Sequence, residues 1–385
     1  MQKKYFLPII VVPQFFCTSL WFAGNGVLDE LISDFNLNSQ ALGHLTSAVQ
    51  FGFILGTLVY ATLMIADRYS PSKVFFFSSL LAAIFNLGML WEGNSLFSLL
   101  GSRFLTGFFL AGIYPVGMKI AADYFKEGLG KSLSFLVGAL VLGTALPHLL
   151  AGSTLFAQWK WVIITTSLLA MTGGIIIVWC VPDGPFRRPA QQMKLLRAFT
   201  IFKNVKLRKA AIGYFGHMWE LYAFWAFVPV MILTFNDSHG VVLSTSLWSF
   251  IIIGIGSLGC VIGGITSERL GVKKTASGSL LISCICCLSS PVFFYQPSEI
   301  VFLLFLMLWG MAVIADSPLF STLVAQYAEG PLKGSALTLV NCIGFAITIF
   351  SIQILNTLQS SFSNTWIYVV LAIGPAIGIR VLFRK

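Results

Sequence analysis

The chain has 385 residues, of which 57% are hydrophobic and only 10% are charged, and its mean hydropathy is +0.87. A soluble domain carries about 25% charged residues, so this composition excludes a soluble enzyme, a disordered protein and a disulfide scaffold. Long apolar runs, in place of alternation, also exclude a transmembrane β-barrel. We therefore predict an all-α integral membrane protein, and we interpret the formal net charge of +10 as membrane topology and not as nucleic-acid binding.

Twelve apolar segments are long enough to cross a bilayer as helices, for which about 20 residues are needed. In chain order they are 6–28, 41–66, 74–91, 96–122, 132–152, 160–181, 210–235, 243–267, 275–295, 300–327, 335–358 and 366–383. We predict an N-terminal six-helix bundle over residues 1–181, a basic cytoplasmic linker over 182–209 and a C-terminal six-helix bundle over 210–385.

The basic residues are distributed unevenly between the predicted loops. Of the 24 Lys and Arg residues, all but Arg103, Lys119 and Lys160 fall in segments that are cytoplasmic if the N-terminus is inside. Because positive charge favours the inside, we predict cytoplasmic termini and a multi-pass protein of the cell membrane, such as a bacterial inner membrane. The simplest interpretation of segment 182–209 is a linker that lies on the anionic inner leaflet.

The two halves of the chain repeat each other weakly. The matched pairs are the loops 67–73 and 268–274, then Gly107 and Gly310, Pro115 and Pro318, and Tyr124 and Tyr327. Matches at nearly one offset, in equivalent helices, indicate a duplicated six-helix unit.

With these residues in place, the chain resembles the major facilitator superfamily over its full length. The segment Ala66-Asp67-Arg68 through Lys73 is similar to the family's signature between helices two and three, although Ser70 replaces the usual glycine. The segment Arg103-Phe104-Leu105-Thr106-Gly107 is similar to its fourth-helix signature. The resemblance implies two bundles that transport a solute by alternating access around a site near the membrane midplane.

The two repeated loops are the predicted conformational latch. Asp67 with Arg68, and Glu268 with Arg269, can pair with neighbours in one conformation only. A contribution of about 1–3 kcal/mol is enough to bias two nearly equal states. The alternative is that Arg68 and Lys73 only enforce topology.

Glu220 is the leading candidate for proton coupling. A charge inside a span costs at least about 2.5 kcal/mol, which makes such a residue a functional candidate. Glu220 lies near the midplane, and His217 is three residues earlier on the same predicted helix, so we expect the two to share a face and to hydrogen-bond. The alternative is a structural pair that braces the helix.

Three further ionisable residues lie inside predicted spans. Arg103 matches the family's fourth-helix arginine, which is associated with proton coupling or with bundle structure. Asp316 is either a second titrating or cation-contacting group, or the partner of Lys119 or a loop residue. Lys119 itself can contact substrate, pair with Asp123 at i+4, or extend to the cytoplasm.

Prolines predict a bend in the fourth span at Pro115 and another in the tenth at Pro318, because proline interrupts the helical hydrogen-bond ladder. Paired bends in corresponding helices point toward a central cavity. The residues predicted to line this cavity are Asn25, Gln50, Tyr114, Lys119, His148, Trp219, Tyr222, Asn341 and Gln353. Each of them also has a purely structural interpretation.

The predicted function is secondary active transport of a small solute, coupled to protons. Two intramembrane cations in the first half and two acids in the second favour an organic anion or zwitterion. The alternatives are multidrug or metabolite efflux by proton antiport, and an uncoupled facilitator or sensor. Expected partners are the solute, protons and the lipid bilayer, with no nucleic acid and a monomeric protein.

No enzymatic activity, cofactor or metal is predicted, because the chain lacks a phosphate loop, a nucleophile elbow and a metal-ligand spacing. The clustered Cys284, Cys286 and Cys287 are interpreted as small helix-filling residues.

Overall fold

The computed structural model describes residues 6–38, 40–125, 129–153, 158–187, 199–329, 332–362 and 365–384, and these ranges contain no β-strand. Twelve helical segments follow one another: α1 Phe6–Thr18, α2 Ala41–Thr62, α3 Pro71–Leu90, α4 Leu96–Tyr124, α5 Leu129–Ala151, α6 Trp159–Cys180, α7 Val205–His239, α8 Thr245–Leu270, α9 Val272–Tyr295, α10 Glu299–Tyr327, α11 Lys333–Ser361 and α12 Thr365–Phe383. Two short helices, Leu28–Asp34 and Ile65–Arg68, follow α1 and α2. The predicted all-α membrane class is confirmed.

Among the described residues, eleven of these segments, α2 to α12, are long and apolar enough to cross a membrane, whereas α1 is only 13 residues long. The predicted continuous span 6–28 is therefore wrong, since the chain forms turns from Ser19 to Val27. Gly24, Asn25 and Gly26 lie in this turn region, where small and polar side chains favour turns over helix.

The proline bends are confirmed in both predicted helices. The helix Leu96–Leu110 ends before turns and α4 resumes as Tyr114–Tyr124, while α10 consists of Glu299–Ala315 and Ser317–Tyr327. Pro115 and Pro318 each occupy the first turn of the second half, where the missing N–H removes no hydrogen bond.

Helix α7 begins earlier than the predicted residue 210, so the linker 182–209 is shorter than predicted. Asn204 caps the helix, because its side-chain oxygen accepts hydrogen bonds from the backbone N–H groups of Lys206 at 3.0 Å and Leu207 at 3.2 Å. Hydropathy predicted only the apolar part of α7, because the first turns of this helix contain the basic residues Lys206, Arg208 and Lys209. Residues 188–198 of the predicted linker lie outside the described residues.

The chain divides into two compact units, Met1–Met193 and Lys194–Lys385. In the first unit α2 packs on α4, α3 on α4 and α6, and α1 on α5 and α6. In the second unit α8 packs on α10, α9 on α10 and α12, and α7 on α11 and α12. Each pairing recurs six helices later, which agrees with the sequence repeat. The predicted bundle limits, 1–181 and 210–385, stay predictions.

Glycines allow the closest helix pairs to approach. A Cβ atom at Gly52 of α2 would lie 1.9 Å from a carbonyl oxygen of α4, and one at Gly107 of α4 would lie 2.1 Å from a carbonyl oxygen of α2. In the second unit, a Cβ atom at Gly259 of α8 would lie 2.4 Å from a carbonyl oxygen of α10, and one at Gly310 of α10 would lie 2.2 Å from a carbonyl oxygen of α8. Small residues of this kind are what membrane helices use to bring backbones together.

Candidate functional site

The carboxylate of Glu220 is fully buried on α7 and is surrounded by donors from α9 and α10. Trp309 Nε1 donates to Oε1 at 2.5 Å, Ser283 Oγ donates to Oε2 at 2.8 Å, and Cys287 Sγ donates to Oε1 at 3.3 Å. Ser283 and Cys287 are four residues apart, so one face of α9 presents both groups. The interpretation of Cys287 as helix filler is therefore wrong, because its thiol contacts the acid.

Aromatic packing fixes the indole that contacts Glu220. The ring of Trp309 lies 4.6 Å from that of Phe224 on α7 and 5.6 Å from that of Phe305 one turn earlier on α10, measured between centroids. Trp309 is fully buried. Because the surroundings exclude water, its hydrogen bond to the carboxylate is stronger than it would be in solution.

His217 contacts Asp316 and not Glu220. His217 Nδ1 lies 2.7 Å from Asp316 Oδ1, and both side chains are 1% exposed. The expected hydrogen bond between His217 and Glu220 is wrong, because side chains three apart on a helix point about 60° apart around its axis. His217 thus faces the bend of α10, while Glu220 faces α9 and Trp309.

Arg103 holds the non-helical backbone that follows α1. Its Nη1 donates to Leu20 O at 3.0 Å and to Asn86 Oδ1 at 3.1 Å, and its Nη2 donates to Trp21 O. Irregular backbone persists at membrane depth only where internal groups satisfy it, and the guanidinium fork can satisfy several carbonyls together. Arg103 therefore explains how the chain can leave the helix at Thr18. A part in proton coupling stays a prediction.

Sequence reasoning missed Asn86 of α3, which orients the guanidinium. Asn86 is fully buried, and its Nδ2 donates to Ser167 Oγ on α6 at 3.0 Å while its Oδ1 accepts from Arg103. The signal available in the sequence was a lone amide in an otherwise apolar run. Nothing in the sequence indicated which helix it would face.

Lys119 pairs with the loop residue Asp67 and not with Asp123. The distance from Lys119 Nζ to Asp67 Oδ1 is 2.7 Å, and both side chains are partly exposed. Arg187, which follows α6, donates to the backbone oxygen of Asp67 at 3.0 Å and pairs with Asp183. Lys119 therefore contacts the predicted latch through Asp67. Arg187 contacts Asp67 as well, and it connects Asp183 to the same set of residues.

The second loop is built differently. Glu268 and Arg269 are exposed, as is Arg68 in the first loop, and none of the three forms an ion pair with another described residue. At the repeat position of Lys119 the second unit has Thr322, whose hydroxyl donates to Pro318 O at 2.8 Å. The second loop therefore lacks the cation that holds the first.

Two of the predicted cavity residues are engaged within their own unit. Asn25 Nδ2 donates to Thr46 Oγ1 on α2 at 2.8 Å, and Trp219 Nε1 donates to Val370 O on α12 at 3.1 Å. These hydrogen bonds brace neighbouring segments, which is the structural interpretation of both residues.

The other predicted cavity residues differ in burial. Tyr222, Gln50 and His148 are buried, and the structure gives both amide atoms of Gln50 and Nε2 of His148 no hydrogen-bond partner among the described residues. The half-buried members are Tyr114, Asn341 and Gln353. Substrate contact by any of these residues stays a prediction.

The sequence model of the Major Facilitator Superfamily matches residues 12–352. The chain belongs to this superfamily. Efflux pump FUB11 of Gibberella moniliformis is 31% identical over 193 residues, which cover 47% of this chain and 31% of that relative, so the match spans less than a third of the relative's length.

Two solved structures of transporters share the fold. The inward open conformation of the xylose transporter XylE from E. coli gives a TM-score of 0.79 at 14% identity, covering 99% of this chain and 96% of that one. A mutant of the nucleoside transporter NupG gives a TM-score of 0.74 at 14% identity, and the match covers 98% of each chain. The chain is thus a multi-pass membrane protein with the fold of its superfamily. A bacterial inner membrane and cytoplasmic termini stay predictions.

Proposed function

We propose that this protein is a proton-coupled secondary transporter in which Glu220 binds and releases the coupled proton while a small solute crosses by alternating access. The observation that supports this most directly is a fully buried carboxylate with three donors inside a membrane-spanning helix. An ionisable residue at such a place is expensive and marks a functional site by default.

The surroundings of Glu220 suit both of its protonation states. Ser283 Oγ lies 2.8 Å from Glu220 Oε2 and 3.2 Å from the backbone oxygen of Leu280. When the carboxylate is ionised, the Ser283 hydroxyl donates to it. When Oε2 carries a proton, the acid donates to the Ser283 oxygen and the hydroxyl turns to Leu280 O. No polar atom of this pair loses its partner in either state, as a reversible proton site requires.

The predicted preference for an organic anion or zwitterion loses the support of its two cations and stays a prediction. It depended on Arg103 and Lys119 as free cations, but Arg103 is engaged with backbone oxygens and Asn86, and Lys119 is paired with Asp67. A neutral or cationic solute is compatible with the engagement of Arg103 and with the pairing of Lys119.

Export by proton antiport is the second candidate for the direction of transport. A curated relative that is 31% identical over 193 residues is named an efflux pump, and this favours export over import. An uncoupled facilitator with the same fold is the remaining alternative.

The test uses purified protein in liposomes that contain a pH-sensitive dye. A thermal-shift screen of small anions, amino acids, sugars, amines and drugs first selects a solute that stabilises the protein. A gradient of that solute should then drive proton movement that is absent from protein-free liposomes. Solute flux without proton flux would establish the uncoupled facilitator and contradict the proposal.

A further inference from the structure

The second buried acid, Asp316, has far fewer partners than Glu220. Glu220 receives three side-chain donors, whereas the side-chain contact of Asp316 among the described residues is the one with His217, 2.7 Å from Oδ1 to Nδ1, beside a hydrogen bond with its own backbone. The structure gives Asp316 Oδ2 and His217 Nε2 no hydrogen-bond partner among the described residues, although both side chains are only 1% exposed. Buried polar atoms without partners are rare, and each demands an explanation.

The bend of α10 does not require this carboxylate. Asp316 is the N-cap of Ser317–Tyr327, yet its side chain accepts no hydrogen bond from the backbone of that helix. The repeat supplies a control, because the corresponding N-cap of Tyr114–Tyr124 is Ile113, and α4 bends there as well. A structural role in the bend therefore does not explain Asp316.

Among the residues that the structure describes, no basic side chain neutralises the pair. Within the described chain, no Lys or Arg forms an ion pair with Asp316. The titratable groups that face it are Tyr214 on α7, with its ring 5.8 Å from that of His217, and Cys260 on α8, whose thiol donates to Ile314 O at 3.8 Å. The carboxylate of Glu220 on α7 is also close enough to interact electrostatically with Asp316, and it adds negative charge to the surroundings of the pair. Helix α11 presents Gly344 against Tyr214 and adds no charge there.

The chemistry of the pair defines a complementary ligand. With the imidazole neutral and its proton on Nδ1 toward Asp316, both His217 Nε2 and Asp316 Oδ2 are acceptors, and the pair carries one negative charge. The matching group is positively charged and has at least two N–H donors. Hydrogen bonds from a cation to a carboxylate are about twice as strong as neutral ones.

We propose that Asp316 and His217 bind the cationic head group of an organic solute, as a primary ammonium or an amidinium. The inference names the substrate class of the transporter and rests on the proposed function only for the step that carries the bound solute across.

The experiment compares four probes of similar shape by thermal shift of the purified full-length protein: benzylammonium, benzyltrimethylammonium, benzyl alcohol and benzoate. Benzylammonium should stabilise the protein at a concentration at least about tenfold lower than the other three, because they lack the N–H donors, the charge or the correct sign. Failure of benzylammonium to stabilise the wild-type protein, or equal stabilisation by benzoate or benzyl alcohol, overturns the inference.

Variants localise the site. Asp316→Asn should weaken benzylammonium binding at least about tenfold, whereas Glu299→Gln, which removes an exposed carboxylate at the start of the same helix, should leave it unchanged. Unchanged binding to a folded Asp316→Asn protein overturns the inference, and the four-probe comparison decides it if that variant does not fold. Asp316-dependent binding in a protein that moves no protons would contradict the proposed function alone.

Discussion

Arg103 donates hydrogen bonds both to the backbone that follows α1 and to the amide oxygen of Asn86. The non-helical backbone after Thr18 therefore depends on this one side chain. Arg103→Met keeps the length and apolar stem but leaves the carbonyls of Leu20 and Trp21 without a donor. Leaving a buried acceptor unsatisfied costs about 1–3 kcal/mol, and several acceptors lose their donor here, so we expect a clearly lower midpoint of thermal unfolding in detergent.

The matched control for Arg103 is the exposed pair of Lys160 and Glu92, whose charged atoms lie 3.3 Å apart. Lys160→Met should change stability by about 0–1 kcal/mol, since exposed ion pairs contribute little. Similar melting temperatures for the two variants would show that Arg103 does not support the backbone after α1.

Single residues were the easiest feature to find in the sequence, and their partners the hardest. Glu220 and Asp316 could be predicted as sites because charges are rare in apolar spans. Spacing along one helix suggested His217 as the partner of Glu220, but the true donors, Trp309 and Ser283 among them, come from other helices. Which face a helix turns to which neighbour depends on packing, and one sequence does not reveal it.

At the scale of elements, the repeat places glycines where helices touch. A Cβ atom at Gly310 would lie 2.2 Å from Ile252 O, so Gly310→Ala must push α8 and α10 apart. We expect Gly310→Ala to lower the melting temperature, by the equivalent of about 1–3 kcal/mol for overpacking. Gly278→Ala in α9 meets no atom within 4 Å and should be neutral or slightly stabilising. If both variants melt alike, the close approach of these helices is not required.

The predicted latch has a partner that the sequence did not assign to it. Asp67→Asn breaks the contact with Lys119 and should change the rate of transport, while solute affinity stays within about three-fold, because a contact of about 1–3 kcal/mol biases conformations without touching the solute. Lys119→Gln should change the rate of transport in the same way and leave solute affinity within about three-fold. The double variant, Asp67→Asn with Lys119→Gln, should have a transport rate no further from wild type than either single variant, because both substitutions break the same contact.

Two results would contradict the latch. One is a change of affinity alone, with unchanged turnover, which would place Asp67 at the solute. The other is additivity of the two single variants. Glu268→Gln is the internal control and should have a smaller effect, because Thr322 occupies the position that Lys119 holds in the first unit.

Elements that depend on local chemistry were predicted well. Pro115 and Pro318 predicted the bends of α4 and α10, because proline is favoured in the first turn of a helix, where its missing N–H removes no hydrogen bond. The end of α1 at Thr18 was missed, since residues 19–27 remain apolar or small and their backbone is held by Arg103 from another helix. The start of α7 was missed because a capping Asn and basic residues precede its apolar part.

For the whole molecule, the repeated pattern of helix pairs agrees with the repeat in the sequence. The membrane orientation is still a prediction from the distribution of basic residues. A reporter fused after Lys385 should be active on the cytoplasmic side. Activity on the opposite side alone would reverse the predicted topology.

The central claim is that Glu220 carries the coupled proton, and Glu220→Gln tests it most directly. The amide resembles the protonated acid but cannot release a proton. In liposomes, solute exchange without a gradient should therefore persist within about three-fold of wild type, while accumulation driven by a pH gradient should fall to the level of protein-free vesicles. Accumulation at the wild-type level by Glu220→Gln would contradict the account, and Asp316→Asn measured beside it would show whether the proton resides at the second acid.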